Sequence, residues 1–330
     1  MINALVNIDV QDILKRMRII YDSICMSELY DNTSIYNRPL LSEEANALVT
    51  EHFDSVFCPK KVKKYITRCD NLIVMKSDEV TFYIYFQKTT KVTMTKLFLS
   101  MKQAIVTKRF FNIGKHLNIH IVLSPYKRYM PSSKKEYICE CHINGGFTYP
   151  NGKNVYVVRE EEYTKVMIHE ILHHCREIHN EGFVERQLNE LKCVFNIAKE
   201  TKLVPNEAII EFWANLTNCV YLSFEYNQSF DSLLKKEVDF SLYQCHKILD
   251  KQGNRPWYET TNAYCYIIFK TILLKNITKL SEYTYPYNPE YIKEFLIKYK
   301  DSIKNKVNKN KDFYDNTISK KSLRMTFLAD

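Results

Sequence analysis

The sequence lacks an apolar stretch long enough to cross a membrane, and it lacks a recognisable secretion signal. Its longest apolar run, residues 263–274, contains Lys270 and is shorter than the roughly 20 residues that a bilayer-spanning helix needs. Near the N-terminus, Asp9 and Asp12 interrupt the segment where a signal peptide would carry its apolar core. We therefore expect an intracellular protein with no membrane span.

Regularly spaced cysteines are missing as well, although the chain contains ten of them. A disulfide-stabilised secreted domain would place its cysteines in a repeated pattern, so reduced thiols are expected instead. Cys139 and Cys141 are separated by one residue, which matches the two-residue period of a β-strand. This spacing predicts that they are a poor pair of zinc ligands.

What the chain does have is the composition of a globular protein, with 330 residues of which 45% are hydrophobic. This length suits one large domain with an extension, or two domains. We predict a mainly helical region at residues 1–76, a main domain at residues 77–286 and a lysine-rich C-terminal segment at residues 287–330. The first helix carries an apolar stripe of Ile13, Met17, Ile20 and Ile24.

The main domain is predicted to alternate strands with helices. Hydrophobic periodicity predicts strands at residues 80–86, 118–123 and 154–158, and a helix at residues 94–111. A loop rich in Pro, Ser and Lys is expected near residues 125–135. The predicted fold class is therefore α+β, with a mixed sheet that leads into a group of helices.

The most informative motif follows the last of these strands. Residues 169–173 read His-Glu-Ile-Leu-His, which has the form H-E-x-x-H. On a helix, one turn separates His169 from His173, so both imidazoles leave the same face and can bind one zinc ion. Glu170 can then take a proton from the attacking water. A chance match, or a pair of structural histidines, is the alternative interpretation.

Apolar residues around the motif recur with the period of a helix and would face the core. They are Met167, Ile168, Ile171, Cys175 and Ile178. His169 and His173 fall on the opposite side, where we expect a cleft. Residues 160–162 are all Glu and are expected in the first turn of this helix, where negative charge suits the helix dipole.

Zinc needs a third protein ligand, and His179 is one candidate. It lies ten residues after His169, the position of the third histidine in proteases with the pattern H-E-x-x-H-x-x-G-x-x-H. That pattern requires Gly where this chain has Arg176. It also requires a downstream methionine turn, whereas no Met occurs between Met167 and Met325. His179 is therefore the alternative metal ligand.

The stronger candidate lies on a predicted helix that begins near Pro205. One polar stripe runs along this otherwise apolar helix, and it consists of Glu207, Glu211, Asn215 and Asn218. A buried carboxylate must be paired or bound to a metal, because an isolated one is too costly to desolvate. We therefore expect one of the two glutamates to bind zinc and the other to orient a ligand histidine.

Residues 206–211 read N-E-A-I-I-E and resemble the N-E-A-x-x-D segment of thermolysin-like gluzincins, a class of zinc peptidases. They are also similar to the E-G-x-A-E-Y pattern of other gluzincins. The resemblance implies that Glu207 is the third zinc ligand and that Glu211 orients a histidine. It also implies a zincin-like catalytic domain, in which a mixed sheet is followed by an active-site helix and a glutamate helix. Glu207 follows His173 by 34 residues, more than is usual in those families, and a helix at residues 187–199 would fill the insertion.

A second resemblance covers about residues 140–270. Its blocks lie at residues 142–148, 161–173, 207–214 and 259–264. Together they look like the H-E-x-x-H proteins encoded by giant DNA viruses, in the same order along the chain. This resemblance implies a viral origin, and with it a location in the host cytoplasm or the virion.

An H-E-x-x-H peptidase also needs a group that stabilises the developing oxyanion. Tyr264 is the expected catalytic residue for this role. Other downstream candidates are Arg255, Tyr258 and His246. A different motif, H-E-x-x-x-H, would use His174, but that residue points roughly 140° away from His169 on an ideal helix.

These residues together predict a zinc-dependent peptidase that hydrolyses a peptide or isopeptide bond of a protein substrate, with Zn²⁺ as cofactor and a strand at residues 145–148 lining the cleft. The alternative is a catalytically silent zincin fold that serves as a virion or host-interaction protein, although Glu170 argues against it. From Tyr291 onward, ten Lys or Arg outweigh five Asp or Glu. Such a segment could contact an acidic partner, but mixed charge of this kind is usually a solvated helix.

Overall fold

The computed structural model describes residues 10–133, 135–179, 182–280, 288–304 and 311–328. These residues form fifteen α-helices and one six-stranded sheet. The chain divides into two compact units. We call residues 15–128 and 144–175 the sheet unit, and residues 10–14, 129–143 and 176–328 the helical unit.

The elements up to the fourth strand are α1 (Val10–Asp22), α2 (Met26–Asp31), β1 (Ser34–Pro39), α3 (Ser42–Glu51), α4 (Lys60–Ile66), β2 (Asn71–Lys76), β3 (Val80–Phe86), α5 (Met94–Phe110) and β4 (Leu117–Val122). Next come α6 (Glu140–Ile143), β5 (Gly146–Thr148), β6 (Asn154–Val157), α7 (Tyr163–Leu172), α8 (Arg176–His179) and α9 (Glu185–Val194). The last elements are α10 (Asn206–Glu225), α11 (Phe230–Gln252), a π-helical turn (Cys265–Phe269), α12 (Lys270–Lys275), α13 (Ile277–Leu280), α14 (Pro289–Lys298), a 3-10 turn (Lys300–Ile303) and α15 (Lys311–Thr317).

The sheet has the strand order β1-β2-β3-β4-β6-β5. The first three strands pair antiparallel, β3, β4 and β6 run parallel, and β5 pairs antiparallel with β6. Parallel neighbours need a crossover, and α5 supplies it between β3 and β4. The sheet is therefore mixed, as the sequence predicts, and β5 lies at one of its edges.

Two strands occur in the region for which the sequence predicts mainly helices. All six residues of β1 are exposed, so this strand has no apolar alternation that could reveal it. The apolar core of β2 is continuous, and such a run does not distinguish a strand from a buried helix. Because β2 pairs with β3 along its full length, the sheet continues across the predicted boundary at residue 76. The bounds of the two observed units consequently differ from those of the three predicted regions.

An aromatic cluster fills one side of the sheet unit. Phe53 lies at the centre, with ring centroids 6.0 Å from Tyr85 and 5.3 Å from Tyr156. His120 on β4 stacks on Tyr156 at 5.0 Å, and its Nδ1 lies 3.1 Å from the Tyr85 hydroxyl. Burial lowers the pKa of His120 to about 3, so its ring is neutral at physiological pH.

The helical unit is built around α10 and α11, which contact each other. The carboxylate of Glu237, on α11, is completely buried. It accepts hydrogen bonds from the Asn215 side chain at 3.0 Å, the Thr326 hydroxyl at 2.7 Å and the Phe327 backbone N–H at 3.1 Å. Asn218 adds a bond to the Leu328 carbonyl at 2.9 Å. Half of the polar stripe predicted on α10 thus anchors the end of the C-terminal segment.

The helix predicted at residues 187–199 is α9, which ends five residues earlier, at Val194. Asn196 follows in the left-handed region, and Ile197 forms an isolated parallel bridge with Trp257. In the described part of the chain, every helix is too short or too polar to cross a membrane.

Candidate metal and catalytic residues

Helix α7, which carries the H-E-x-x-H motif, starts from an unusual residue. Glu162 occupies its N-cap in the left-handed region, with φ 61° and ψ 26°. The Glu162 carboxylate forms an ion pair with Arg128, and both side chains are almost fully buried. Arg128 also donates its backbone N–H to Glu161 at 2.9 Å. The prediction that Glu162 lies in the first turn is therefore wrong, because α7 begins after it, at Tyr163, and Arg128 fixes that start.

The apolar stripe predicted on α7 is confirmed. Met167, Ile168 and Ile171 have no exposed surface. The opposite side of the helix is also mostly buried, with His169 at 6% and Glu170 at 5% exposure. His173, at the C-terminal cap, is half-buried. The motif consequently lies within the protein, and its second histidine is its most accessible part.

The two histidines of the motif lie side by side. His173 keeps helical backbone angles, φ −60° and ψ −16°, although the helix ends just before it. The ring centroids of His169 and His173 are 5.1 Å apart, with the ring planes at 68°. Two imidazoles at this separation can point one nitrogen each toward a shared ion, as tetrahedral zinc sites require. The geometry of this pair fits a metal.

Glu170 lies directly against the edge strand β5. A Cβ atom at Gly146 would stand 2.9 Å from both Cγ and Oε1 of Glu170, and 2.6 Å from the carbonyl oxygen of Tyr156. Real Cβ atoms do not make such contacts, so this position requires glycine. The absence of a side chain at Gly146 brings the Glu170 carboxylate to the backbone of the edge strand.

Glycine is required at position 145 for a different reason, which no sequence motif indicates. A side chain at Gly145 would collide with the guanidinium of Arg128. A second buried arginine, Arg159, donates to the carbonyl oxygens of Asn144 at 2.7 Å and Lys127 at 2.8 Å. Both arginines hold the backbone that precedes β5. No motif marks them, because their partners lie far away in the sequence.

His174 has a structural position. Its Nε2 lies 3.0 Å from Oγ1 of Thr148 on β5, and its Nδ1 lies 3.2 Å from the carbonyl oxygen of Pro150. The residue is buried. Since its ring nitrogens contact the end of β5 and the segment that follows it, His174 holds this part of the chain in place, which favours a structural role over the H-E-x-x-x-H alternative.

In the helical unit, Glu207 and Glu211 lie in the first two turns of α10. Glu207 is half-buried and Glu211 is 2% exposed. The neighbouring Asn206 donates its side-chain N–H to the carbonyl oxygen of Ile178 at 3.5 Å. Ile178 belongs to α8, which begins three residues after His173 along the chain. The side chain of the alternative ligand His179 lies outside the described residues.

Tyr264, the predicted oxyanion donor, is part of the core of the helical unit. Its side chain is 1% exposed, and its hydroxyl donates to the Phe195 carbonyl at 3.3 Å. Burial raises its pKa above the usual value. The Glu259 carboxylate, five residues earlier in the same block, accepts the backbone N–H groups of Ala263 at 2.7 Å and Tyr264 at 2.9 Å. This block therefore caps and packs a helix, and we do not assign Tyr264 to catalysis.

The other downstream candidates have ordinary surroundings. Tyr258 packs edge-on against Tyr137, with ring centroids 4.5 Å apart. Arg255 is exposed, and His246 is half-buried on α11. We therefore assign none of these three residues to oxyanion stabilisation.

Comparison with known proteins places the chain near a viral sequence. It is similar to an uncharacterised protein of Acanthamoeba polyphaga mimivirus, with 26% identity over 161 residues. The match covers 42% of this chain and 40% of the mimivirus protein, so the chain spans less than half of that relative's length. No protein-family model matches the chain, and no solved structure matches it. The resemblance to a giant-virus protein is thus confirmed for part of the chain, whereas the gluzincin resemblance stays a prediction.

Proposed function

We propose that the protein is a zinc-dependent peptidase in which His169, His173 and Glu207 bind the metal and Glu170 is the general base. One observation carries this proposal. The H-E-x-x-H helix packs beneath the edge of a mixed sheet, and its glutamate touches the edge strand at Gly146. This contact places the carboxylate of the motif beside a strand edge, where an extended substrate backbone can bind.

The assignment of Glu207 rests on its type, its position and its neighbours. It follows Asn206, whose side chain binds α8, and α8 follows the H-E-x-x-H helix directly in the chain. His169, His173 and Glu207 supply two imidazoles and one carboxylate, which are donor types that zinc peptidases use. Glu211, one turn further and more deeply buried, suits the role of the carboxylate that orients a ligand histidine.

The mechanism follows from the chemistry of these side chains. Zinc, when bound, polarises a substrate carbonyl and makes a water molecule more acidic. Glu170 accepts the proton of the attacking water and passes it to the leaving amine. Its 5% exposure keeps bulk water from competing for that proton. The contact with Gly146 fixes the carboxylate next to the backbone of β5.

The substrate class follows from the same edge strand. The outer side of β5 offers backbone N–H and C=O groups to an extended peptide, a recognition mode known as β-strand addition. A peptide paired there would lie beside Glu170. We therefore propose an extended segment of a protein, with a peptide or isopeptide bond, as the substrate.

Replacement of Glu170 by Gln tests this function. The variant keeps the size of the side chain but removes the proton acceptor, so hydrolysis should fall by at least about 10²-fold while zinc content stays the same. The activity is measured as new peptide termini in a cell lysate, by mass spectrometry. Glu185→Gln, at the exposed start of α9, is the matched control and should behave like the wild type. If wild type and Glu170→Gln gave identical peptide termini, with full zinc in both, the peptidase proposal would be contradicted. The alternative, a catalytically silent binding protein, would then be supported.

Zinc content tests the metal ligands separately. The purified protein should carry close to one zinc per chain at this site, and His169→Ala or His173→Ala should remove it. Glu207→Ala should weaken binding strongly, Glu211→Ala by the 10–100-fold typical of an orienting residue, and His179→Ala hardly at all. The reverse order of Glu207 and His179 would make His179 the third ligand.

A further inference from the structure

A second group of metal-binding side chains lies in the helical unit, at residues 139–142. The Sγ atoms of Cys139 and Cys141 are 2.8 Å apart, and Nδ1 of His142 lies 3.1 Å from the first and 3.5 Å from the second. Three donor atoms thus converge on one point from four consecutive residues. Cys141 is exposed and the other two side chains are half-buried, so the point is accessible from solvent.

The strand that the spacing of the two cysteines suggests here is wrong, whereas their predicted weakness as a zinc pair stays a prediction. Residues 140–143 form the helical turn α6, which the His142 backbone N–H closes by donating to the Cys139 carbonyl at 2.9 Å. On a strand, residues i and i+2 would point the same way but stand well apart, whereas the tight turn brings the sulfurs together. The short segment offered too few residues for a helical period to be recognised.

The backbone of this turn is fixed to the body of the helical unit. Ile138, which has no exposed surface, forms a parallel bridge with Glu259, and the Thr260 N–H donates to its carbonyl at 3.2 Å. Tyr137 adds the ring contact with Tyr258. A ligand set on a rigid support loses little conformational entropy when an ion binds.

The imidazole of His142 is oriented for metal binding. Its Nδ1 faces the two sulfurs, while Nε2 faces Oε1 of Glu136 at 3.6 Å. Glu136 is half exposed and can rotate to accept the Nε2–H. A carboxylate on the far nitrogen of a ligand histidine fixes the tautomer in which the near nitrogen is an acceptor. In this structure Nδ1 of His142 accepts the backbone N–H of Cys139 at 3.1 Å, a bond that a metal ion would replace.

We propose that Cys139, Cys141 and His142 bind one thiophilic metal ion, with Zn²⁺ as the main candidate. Two thiolates and one neutral imidazole carry a charge that Zn²⁺ neutralises, and soft sulfur donors select zinc or Cu⁺ over Mg²⁺ and Ca²⁺. Sulfurs on a tetrahedral zinc stand about 3.8 Å apart, given Zn–S bonds of about 2.3 Å. The exposed Cys141 side chain must therefore move by roughly 1 Å when the ion enters.

Three protein donors leave one position of a tetrahedral ion open. Structural zinc sites are usually closed by four protein ligands, so this site is expected to exchange its metal. Its thiolates also distinguish it from the site proposed on α7, whose donors are nitrogen and oxygen. This difference makes the two sites separable by spectroscopy, and either proposal can fail without the other.

Cobalt titration of the reduced, full-length protein tests the second site. Co²⁺ bound by thiolates gives a strong ligand-to-metal charge-transfer band in the near ultraviolet, which Co²⁺ on histidine and glutamate does not. We expect a band that saturates at about one Co²⁺ per chain, in keeping with one ion for these three ligands. Addition of Zn²⁺ should abolish it, and Cu⁺ competition would show whether copper binds more tightly.

Variants assign the band to residues. Cys141→Ser changes an exposed atom and should not affect folding, yet it should remove most of the band; His142→Ala should lower affinity at least about tenfold, and Glu136→Gln about tenfold. Cys25→Ser and Cys193→Ser, at two other exposed cysteines, are the matched controls and should leave it intact. His169→Ala should leave it intact as well.

Two results would overturn this inference. One is a reduced wild-type protein without a charge-transfer band at saturating Co²⁺. The other is a band that persists in Cys139→Ser and Cys141→Ser alike. A disulfide between the two cysteines, detected as a loss of two hydrogens in the intact mass, together with no metal binding after reduction, would assign the pair to redox chemistry instead.

Discussion

The sheet unit and the helical unit both bury charged side chains, but they use them for different purposes. In the sheet unit, Arg128 pairs with Glu162 at the start of the motif helix, and Arg159 binds carbonyl oxygens ahead of the edge strand. In the helical unit, the buried carboxylate of Glu237 accepts a hydrogen bond from Thr326 near the C-terminus, and that of Glu259 accepts one from Tyr264 at the start of a helix. Buried charge must be partnered in both units. In the sheet unit this requirement positions the motif helix, and in the helical unit it anchors distant segments of the chain.

The two carboxylates of the helical unit also differ in how burial affects them. Burial raises the pKa of Glu259 to about 7, and the N–H groups of Tyr264 and Ala263 act in the opposite direction. Its bonds are local and cap a helix. Glu237 instead joins α11 to residues about 90 positions away. Only the second arrangement holds the unit together over a long stretch of chain.

Loss of the buried cation should have the largest effect on stability. Arg128→Met removes the ion pair of Glu162 in the sheet unit, and breaking a buried pair in this way typically costs about 3–5 kcal/mol. Urea unfolding followed by circular dichroism measures the loss. Arg18→Met, which breaks an exposed pair with Asp22 on α1, should change little. Equal losses in both variants would mean that Arg128 does not position α7.

Neutralisation of the buried Glu237 carboxylate in the helical unit should cause the second-largest loss of stability. Glu237→Gln keeps the shape but replaces one acceptor by an N–H₂ group that faces existing donors, so we expect a loss of about 1.5–3 kcal/mol. Limited proteolysis should then cut first near residues 326 and 327, whose donors lose their acceptor. Asp250→Asn on the exposed side of α11 is the control. Unchanged proteolysis of Glu237→Gln would show that other contacts hold this segment.

A side chain at Gly146 on the edge strand should reduce stability somewhat less than these two changes, but it should also reduce activity. Gly146→Ala pushes a methyl group against Glu170 and the Tyr156 carbonyl, which should cost about 1–3 kcal/mol, as overpacking usually does. Hydrolysis should fall further than stability explains, because the general base is displaced. Gly114→Ala, which has open space around it, is the control. Full activity of Gly146→Ala would contradict the placement of Glu170.

The smallest effect is a pH dependence in the sheet unit. Burial is the main cause that lowers the pKa of His120 from 6.5 to about 3. Between these two pH values the unfolded chain binds a proton at this residue and the folded protein does not. The stability that this group supplies is present above pH 6.5 and is lost as the pH falls toward 3. Between about pH 6 and about pH 5 we expect a loss of about 1 kcal/mol. His120→Phe keeps the stacked ring, and its unfolding free energy should lack this part of the slope.

Much of the sheet could be predicted from the sequence, because its central strands are apolar and follow clear turns. The predicted strand 80–86 has the observed bounds, and the predicted helix 94–111 differs from α5 by one residue. The strands β1 and β2 could not be predicted, since β1 is fully exposed and the centre of β2, residues 72–75, is an unbroken apolar run. Periodicity carries no information in either case.

The candidate site was predictable where its chemistry is local. His169 and His173 lie one helical turn apart with Glu170 next to the first, and that spacing is visible in the sequence. Arg128 and the need for glycine at Gly146 depend on contacts between distant segments, so no local pattern marks them. Tyr264 shows the opposite failure, because an aromatic residue in a suggestive block is usually part of a core.

The bonds of Glu237 set an order for the formation of the two units during synthesis. All six strands and the motif helix of the sheet unit precede residue 176, so this unit can begin to fold while the chain is still emerging from the ribosome. Glu237 must wait for Thr326, 89 residues later, before its carboxylate is satisfied. The helical unit is therefore completed later, and a pause in translation before residue 326 would leave a folded sheet unit in a chain whose helical unit is still incomplete.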